Sequence, residues 1–538
     1  MSKRRILLAV IFLTVSCAGW SAEVTEQGSD DKSFLFKLPD VLVTGENESY
    51  VPPPQKKENF SESLLEFDLN QMSKDLPIPN PGGMSPYEAL GENVPSKDLF
   101  FKAEAAYGIL PEGGWSILLG KEFEKLNGLL SLQQIFNQGT FTHDTKDGFN
   151  QIDGLASLHY DLGNRQSLNL GVQYLGGQVD LPYGIPLASV QDRSMLSFMT
   201  GYDGDLGSGS LNVVAHGSGA HRNAGRDSDN HLDLGVAELY SQPLDAPSFD
   251  PIQISQKLTL RRQNLDSDGI SNNPFYINLQ VGMVSPRLSS FLIEASLRWA
   301  DYHDAATDEN ELFFNGKLTY YFYSDTYVFL AYEPALEMPE FEDLYLRQLY
   351  SRVNPLLSAQ DIPENWVIGG SLPITGQGAL GASWFSRWYK SYRLFGGPDG
   401  QMLWLPENAS DVREQGVEIS LDYVLSKTIS FVLGYKLDEV SVIAPNVAEN
   451  SASALVKYSE SDWAVGTESQ WAGNRYYDGL GNSLSPYFLL DAWIERRNIL
   501  PGLSLWVKAK NILGQSYEVW QGYSQPGAAV TEGLSWVF

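Results

Sequence analysis

Side chains that could bind a metal ion are concentrated in three acidic stretches of the chain. These stretches are Asp144 to Asp153, Asp227 to His231 and Asp304 to Glu311. The spacing of Asp227 and Asp229 would allow their carboxylate oxygens to hold Ca²⁺. The sequence has no EF-hand pattern, and surface loops are often acidic. We therefore place the stretches in loops and leave the identity of any metal unknown.

The six histidines do not form a zinc-binding pattern. His216 and His221 lie five residues apart on one predicted hairpin, a spacing too loose to indicate a metal site. The sequence also lacks a Gly-x-Ser-x-Gly elbow, a Walker A loop and a His-Glu-x-x-His motif. We expect no catalytic residues, no cofactor and no enzymatic activity. This expectation rests on local motifs, because triad residues meet in space rather than in sequence.

The composition is unusual for a soluble protein of 538 residues. Aromatic residues make up 12% of the chain, charged residues only 19%, and 49 glycines are spread throughout. A formal net charge of −29 argues against nucleic-acid binding, which needs basic patches. Acidic loops could attract cations, bridge lipopolysaccharide through divalent ions, or simply keep the surface soluble.

The chain from Asp98 onward is dominated by alternation of apolar and polar residues. Segments of 9 to 13 residues alternate and are separated by turn residues. Between Ser167 and Tyr174, for example, an apolar face of leucines, Val172 and Tyr174 alternates with Asn169, Gly171 and Gln173. A period of two with one apolar face is typical of a strand that faces an apolar environment on one side and water or polar groups on the other.

The alternating segments predict an all-β fold, a transmembrane antiparallel β-barrel of about 22 strands. Strand or loop character is left open only for Arg393 to Leu405. A soluble sandwich would also alternate, but its strands are usually shorter. The last strand ends with Leu534, Trp536 and Phe538 on one face, which looks like the C-terminal signal read by the barrel-assembly machinery. We expect an integral protein of the outer membrane, in contact with lipid and lipopolysaccharide.

The N-terminal part has a different character. Residues 1–22 are interpreted as an export signal, with a basic start and the short apolar run Ile6 to Val15. Cys17, the only cysteine, could instead be lipidated, but Thr14 stands where a lipobox normally has Leu. Residues 23–97 are proline-rich and poor in strand pattern, which predicts an extended arm. The barrel is assigned to residues 98–538.

Five segments in the C-terminal part resemble motifs of TonB-dependent receptors, in the order of that family. They are Met338–Tyr345, Asn354–Pro355–Leu356 with Pro363–Glu364, Asn408–Ala409 with Gly416–Val417–Glu418, Asn511–Tyr517, and Gly522–Gly527. In the arm, Asp40, Val41, Leu42, Val43 and Thr44 resemble a TonB box, which adds as a strand to TonB. A generic adhesive strand is the alternative for this segment.

The chain departs from the family between Gly45 and Asp98. A typical receptor has a plug domain there, whereas this segment is short and proline-rich, and Ala528 stands where the family usually has Arg. The resemblance implies a transport protein that passes or binds a small-molecule solute, passively or with a separate plug-like or periplasmic partner. The alternatives are an energised receptor that uses TonB and a minimal plug, and a barrel-anchored adhesin.

Side chains assigned to the lumen are mostly polar, but three aromatic residues are among them. Tyr487, Trp493 and Trp506 would contact the arm, a plug-like partner or a ligand such as a sugar, or else belong to a girdle near one rim. The polar set comprises Asp153, His159, Lys317, Glu418, Asp422, Lys436, Asp491, Glu495, Lys508 and Lys510.

Overall fold

The computed structural model describes residues 99–537 except for short stretches, most of them between strands. The exceptions are residues 109–111, 123–124, 138–148, 181–189, 225–226, 247–248, 268, 287, 289, 324, 340–353, 375–376, 399–403, 445–446, 477–480, 521–522 and 526. Among the described residues, no helix is long and apolar enough to cross a lipid bilayer.

Twenty-two antiparallel strands form one closed barrel, which confirms the predicted fold class. They are β1 Leu99–Gly108, β2 Glu112–Glu122, β3 Leu126–Asn137, β4 Phe149–Gly163, β5 Gln166–Asp180, β6 Val190–Leu206, β7 Gly209–Ala224, β8 Asp227–Ala246, β9 Phe249–Ser267, β11 Phe275–Val284, β12 Phe291–His303, β13 Asp308–Tyr321, β14 Tyr327–Tyr332, β17 Glu364–Ile374, β18 Gly378–Pro398, β19 Trp404–Ser426, β20 Ile429–Val440, β21 Asn450–Ser459, β22 Trp463–Ala472, β25 Tyr487–Leu500, β26 Leu503–Lys510 and β29 Ala529–Val537.

Seven shorter strands lie in the connections between barrel strands. They are β10 Ile270–Asn272, β15 Ala335–Glu337, β16 Gln360–Ile362, β23 Arg475–Tyr476, β24 Ser483–Leu484, β27 Tyr517–Trp520 and β28 Tyr523–Gln525.

The barrel closes where β1 pairs with β29, in a register that runs from Lys102 opposite Val537 to Gly108 opposite Thr531. Closure leaves no sheet edge along the wall, and this matters because an unpaired backbone group in lipid costs several kcal/mol. Both ends of the strand sequence therefore meet at one seam.

The two ends of the barrel differ in their connections. At one end the strands are joined by tight turns, such as the one at Asn164 and Arg165, whose φ angles of 55° and 59° are typical of a two-residue type I′ hairpin. At the other end the connections are long, including residues 333–363 between β14 and β17. In outer-membrane barrels the short turns face the periplasm and the long loops face outside.

The apolar face predicted for each strand points outward. Leu170, Val172 and Tyr174 of β5 are exposed on the outer surface, as are Leu318 of β13 and Leu505 of β26. Their polar neighbours in sequence face the lumen. The alternation therefore separates a lipid-facing surface from a polar inner wall, as the sequence predicted.

Several strands are longer than the 9 to 13 residues expected. β18 has 21 residues and β19 has 23, and together they account for most of the ambiguous stretch between Arg393 and Leu405. Because 9 to 11 tilted residues cross a bilayer, such strands continue pairing well beyond the hydrocarbon region. For the same reason Asp227–His231 and Asp308–Glu311, expected in loops, lie in strands β8 and β13.

Candidate functional site

The described ends of the connection between β14 and β17, residues 333–339 and 354–363, lie at the loop-bearing mouth of the barrel. Its strands β15 and β16 pair with each other, with Ala335 opposite Ile362. Leu336 is fully buried, and the Tyr276 hydroxyl donates a hydrogen bond of 2.9 Å to its backbone carbonyl. The hairpin β15–β16 packs on inward side chains of β11, β12 and β13, forming a cluster of Tyr276, Ala300, Tyr302, Phe313, Leu336, Met338 and Ala359.

A second cluster holds the other side of the hairpin. Ala335 and Ile362 pack against Tyr389 of β18 and Val412 of β19, all buried. The hairpin β15–β16 is therefore fixed between two parts of the inner wall. The hairpin therefore covers inward-facing side chains of the wall at this end.

Two of the segments that resemble the receptor family anchor this connection. Met338 is buried in the first cluster, and the carbonyl of Pro339 accepts a hydrogen bond of 2.9 Å from Gln263 Nε2. Asn408 Oδ1 accepts a hydrogen bond of 2.9 Å from the backbone N–H of Ser358. The motif positions thus tie the connection to the barrel wall.

The Asn354–Pro355 segment does the same at two further points. Asn354 Nδ2 donates a 2.8 Å hydrogen bond to the carbonyl of Pro406 on β19. The carbonyl of Pro355 accepts one of 2.6 Å from Asn272 Nδ2 on β10. These contacts tie residues 354 and 355 to β19 and β10.

The segment beginning at Asn511 forms a turn above β26. Asn511 adopts a positive φ of 45°, and its side chain bonds both the N–H and the carbonyl of Gln515, at 3.0 and 2.7 Å. The Gln515 side chain accepts a 2.7 Å hydrogen bond from the N–H of Phe488 at the start of β25. The Asn511 N–H donates to Asp491 Oδ1 at 2.8 Å, so this lumen carboxylate is partly engaged.

An ammonium group surrounded by three carboxylates lies beside the hairpin β15–β16. Lys390 Nζ is 2.8 Å from Glu309 Oε2, 3.3 Å from Asp361 Oδ2 and 3.8 Å from Glu311 Oε1. Hydrogen bonding to Glu309 raises the pKa of Lys390. Burial raises the pKa of Asp361, which is only 2% exposed, and Lys390 opposes that rise. The cluster joins β13, β16 and β18 above the lipid-facing part of the wall.

The upper inner wall of β6 to β9 carries a buried polar row. Arg193 lies opposite Arg222, which lies opposite Asp229, which lies opposite Ser267. Arg222 Nε and Ser267 Oγ each donate a 2.5 Å hydrogen bond to Asp229. Asp229 is 1% exposed and engaged in this row, which argues against the calcium site considered for it.

The next rows of the same wall contain His231 and Asp233. Burial lowers the pKa of His231 to about 4. For Asp233, burial would raise the pKa, but hydrogen bonds from Arg261 and Gln263, at 2.8 and 3.1 Å, hold it below the usual value. The histidine is therefore neutral near pH 7 and the carboxylate is ionised.

The acidic residues around Asp304, the third stretch considered for metal binding, also make hydrogen bonds or ion pairs within the protein. Asp304 Oδ1 accepts hydrogen bonds from the N–H groups of Ala306 and Thr307, at 2.7 and 2.6 Å, so this carboxylate shapes a turn. His303 lies between Asp301 and Asp308, at 3.0 and 2.9 Å, on the outer surface.

His216 and His221 both lie on β7, one strand of the hairpin β7–β8. Their odd spacing places them on opposite faces, with His216 inward over Gly235 and His221 exposed beside Asn230. These two histidines cannot share a metal ion across the barrel wall.

The lumen residues predicted from sequence line the inner wall as expected. Trp493 and Trp506 also point inward, from β25 and β26, as assigned. Leu534 and Trp536 of the C-terminal segment are each 50% exposed on the outer face, while Phe538 lies outside the described residues. The residues 40–44 that resemble a TonB box, Cys17 and the whole arm also lie outside them.

No pattern in the sequence predicts the hairpin β15–β16 or the residues that hold it. Arg298 of β12, for example, donates to Asn278 Oδ1 at 3.0 Å and to the Leu336 carbonyl at 3.2 Å. An arginine on the polar face of an alternating strand fits any lumen position. Its partner lies 38 residues away, in a connection without clear periodicity.

The sequence model of one protein family, described as TonB dependent receptor-like, beta-barrel, matches residues 113–512. This chain belongs to that family. No curated protein sequence matches it.

Solved structures with the same fold are receptors and transporters. The FrpB iron transporter of Neisseria meningitidis is 11% identical, with a TM-score of 0.67 and 82% of each chain covered. The ferric-catecholate import receptor Fiu of E. coli K12 is also 11% identical, with a TM-score of 0.65 and 82% of each chain covered. A mutant of the ferric enterobactin receptor PfeA of Pseudomonas aeruginosa is 13% identical, with a TM-score of 0.65, and covers 82% of this chain and 81% of its own.

At these identities the TonB-dependent receptor-like barrel shares the fold of those proteins. Its family membership rests on the sequence match over residues 113–512. The residues at Met338, Asn354, Asn408 and Asn511, which resemble motifs of this family, all lie within that match.

Proposed function

We propose that this TonB-dependent receptor-like barrel is an integral outer-membrane transport protein that passes or binds a small-molecule solute without catalysing a reaction. The observation that carries the proposal is the closed barrel of 22 strands with an apolar exterior and a polar interior. A barrel of this size encloses a lumen wider than its own side chains can fill. Such a lumen serves passage or binding.

Iron complexes are the first class of solute to test. The solved structures with this fold are described as an iron transporter, a ferric-catecholate import receptor and a ferric enterobactin receptor. Ligand choice in such barrels resides in loops and lumen side chains, and this chain is only 11% identical to the FrpB transporter over the aligned length. The solute is therefore proposed at the level of a small molecule.

Energised uptake is the second candidate, and family membership favours it. The segment Asp40 to Thr44 would add as a strand to TonB, and the arm would act as a minimal plug. Deleting residues 40–44 should abolish uptake if TonB is used. Unchanged uptake would leave passive passage, alone or with a separate plug-like protein.

The route to the membrane is proposed from the two ends of the sequence. Residues 1–22 would direct export, and Leu534, Trp536 and Phe538 would present the final strand to the barrel-assembly machinery. Replacing Phe538 with Ser should reduce the amount of heat-modifiable barrel in the outer membrane. Residues exposed to lipid and lipopolysaccharide would be those of the outward apolar face.

Single-channel conductance in planar bilayers tests the function directly, with the full chain and with residues 23–97 deleted. Steady conductance in both forms would indicate an open pore. A closed full-length protein that opens on deletion would make the arm a plug. Absence of conductance in both forms would refute passage through an open lumen and favour a barrel that anchors surface loops as an adhesin.

A further inference from the structure

Three aromatic side chains line the inner wall at the end of the barrel that has the tight turns. Tyr321 is the last residue of β13, Tyr327 lies opposite it as the first residue of β14, and Phe329 follows two residues later. The ring centroids of Tyr321 and Tyr327 are 5.6 Å apart, and those of Tyr327 and Phe329 are 6.4 Å apart. Neighbouring rings at these separations are in contact, so the three rings, here called the inner stripe, form one continuous surface.

The inner stripe faces the lumen and is not part of an aromatic girdle. Val328 and Leu330, which alternate with its members along β14, are 46% and 42% exposed on the outer face. The lipid-facing aromatic residues at this end lie on the other side of the wall, where the Tyr320 ring is 4.8 Å from both Phe291 and Phe322. The rings of the inner stripe are half-buried. Their remaining apolar area is unfavourable in water unless another group covers it.

The wall holds the inner stripe in place. Phe329 lies between Thr319 of β13 and Gly369 of β17 in the sheet, and a Cβ atom added at Gly369 would be 2.7 Å from its ring. The ring therefore lies close against the neighbouring strand. Lys317 Nζ is 5.2 Å from the centroid of the same ring and 3.8 Å from Glu294, and 37% of the lysine side chain is exposed. A cation thus marks the end of the stripe that is farther from the turn.

Residues 77–81 of the N-terminal arm, outside the described part of the chain, have a sequence that suits this surface. Pro77, Pro79 and Pro81 have no N–H group, so they can lie on a wall without leaving a donor unsatisfied. Ile78 and Asn80 each precede a proline, which restricts them to extended conformations with φ near about −120°. Alternate residues of an extended chain face the same side, about 6.6 Å apart. This spacing is close to that of the three aromatic rings.

The other proline cluster of the arm suits the inner stripe less well. Pro52, Pro53 and Pro54 are consecutive, and consecutive prolines form a polyproline II helix with three residues per turn. Their rings therefore point in three directions, and only one of them at a time can lie against a wall. A segment with prolines at alternate positions presents all of its rings to one side.

The arm is long enough to reach the inner stripe. It enters the wall at Leu99, which pairs with Lys121 at the end of the barrel that has the tight turns. Strands β13 and β14 are the twelfth and thirteenth of 22, so they lie across the barrel from β1. Strands about 4.8 Å apart and tilted by about 40° give a barrel diameter of about 45 Å. The chain from Pro81 to Asp98 spans up to about 55 Å when it is extended.

We infer that Pro77, Pro79 and Pro81 dock on the inner stripe and hold the N-terminal arm across the periplasmic opening of the lumen. The inference rests on the proposed transport function, and it names the wall surface through which the arm would control passage. Aromatic surfaces bind proline-rich segments in this way because such segments are already extended and lose little conformational entropy. Asp75, two residues before the first proline, would lie near Lys317 at the end of the stripe.

Cross-linking of the full chain in detergent with a short bismaleimide tests the docking. The variant carries C17S, which removes the only natural cysteine, together with I78C in the arm and S371C opposite Tyr327 on the inner face of β17. The matched control combines I78C with S167C, at the same end on the inner face of β5. Because β5 is closer to β1 than β17 is, an arm that does not dock would reach Ser167 at least as fast.

We expect the pair I78C and S371C to cross-link about tenfold faster than the control pair, because docking raises the effective concentration of the two thiols. Replacing two of the prolines, with P79A and P81A, changes only the arm and leaves the barrel unaltered. These substitutions should bring the two rates to within about twofold of each other.

Two substitutions of phenylalanine test the wall. F329S removes one ring of the inner stripe and should also bring the two cross-linking rates together. F322S removes a ring of the same type from the outer face and should change neither rate. Heat-modifiable migration in gels verifies that the barrel of each variant is folded.

Four results would overturn the inference. They are equal rates for the two cysteine pairs, a rate difference that survives the proline substitutions, an equal effect of F322S and F329S, and cross-links between two chains instead of within one. The proposed function fails separately. A barrel that conducts but shows equal rates refutes only the docking. One that shows the faster cross-link but neither conducts after deletion of residues 23–97 nor takes up solute refutes transport and leaves the docking standing.

Discussion

The guanidinium of Arg298, on the inner face of β12, donates a hydrogen bond of 3.2 Å to the backbone carbonyl of Leu336 in β15. The same guanidinium is 3.0 Å from the Tyr276 hydroxyl, which itself donates to that carbonyl. One arginine and one tyrosine thus satisfy a buried carbonyl that the β15–β16 pairing leaves free. This contact connects the barrel wall to the hairpin β15–β16.

Replacing Arg298 with Ala should loosen the hairpin. Loss of a charged donor to a buried carbonyl costs about 1.5–3 kcal/mol. We expect the midpoint of urea unfolding in detergent to fall and amide exchange in β15 to rise. R262A, an exposed arginine on the outer face of β9, is the matched control. Equal effects of both substitutions would contradict a specific role for Arg298.

The ammonium group of Lys390 should neutralise the carboxylates of Glu309, Glu311 and Asp361, in the place that a bound metal ion would otherwise take. In K390M, the three carboxylates would face one another without an ammonium, and their ligand atoms lie within 4.8 Å of one another. Amide exchange in β15 and β16 should rise about tenfold, and millimolar Ca²⁺ should reverse the rise because calcium prefers carboxylate oxygens. K427M, in an exposed turn, should do neither.

A calcium effect of the same size in the unaltered chain would show that Lys390 does not occupy the site. Adding D361N to K390M supplies a second check. It removes one negative ligand and should abolish the calcium response while leaving the barrel folded.

Stability should fall between pH 6.5 and pH 4 because of His231. Burial lowers the pKa of His231 from 6.5 to about 4. The folded state therefore favours the neutral ring. The stability contributed by the neutral ring is fully present above pH 6.5 and is lost as the pH falls through 4. The free energy of unfolding should already be about 2 kcal/mol lower at pH 5 than above pH 6.5. H231Q should flatten this part of the pH profile of urea unfolding.

The control for that measurement is H221Q, on the outer face of β7. An unchanged pH profile in H231Q would mean that other groups carry the acid sensitivity. Arg261 and Asp233 face His231 from β9 and β8, and both stay charged through this range.

Gly416 should tolerate no side chain. A Cβ atom there would collide with the backbone oxygen of Leu437 and with the ring of Phe385, which is itself 3% exposed. G416A should therefore strongly reduce the yield of heat-modifiable barrel. At Gly171, in contrast, the nearest atom to an added Cβ is 4.0 Å away, so G171A should assemble normally. Normal assembly of G416A would contradict the close packing described.

The barrel could be predicted because its signal is repeated in almost every strand. Leu170 and Gln173, or Leu318 and Lys317, show the same alternation because each strand crosses the same boundary between lipid and water. Closure of the barrel could be predicted because unpaired backbone groups at an open sheet edge cost free energy in lipid. The prediction of about 22 strands needed only the length of the alternating region.

The mouth could not be predicted in this way. The pairs Arg298 with Leu336 and Lys390 with Glu309 join residues 38 and 81 positions apart, and no period in the sequence relates them. Strand lengths were underestimated for a related reason. Above the lipid, pairing between β18 and β19 no longer needs an apolar face, so alternation ends before the strand does.

Because the barrel closes at the seam between β1 and β29, it can form only when both of these strands are present. Gly108 and Thr531 face each other across it, so the first and last strands are each other's only neighbours on that side. Until the last strand arrives, both margins of the sheet carry unpaired backbone groups that lipid cannot satisfy. A chain interrupted anywhere before β29 could not close the barrel and would have no lumen. Only the complete chain would therefore be stable in the membrane.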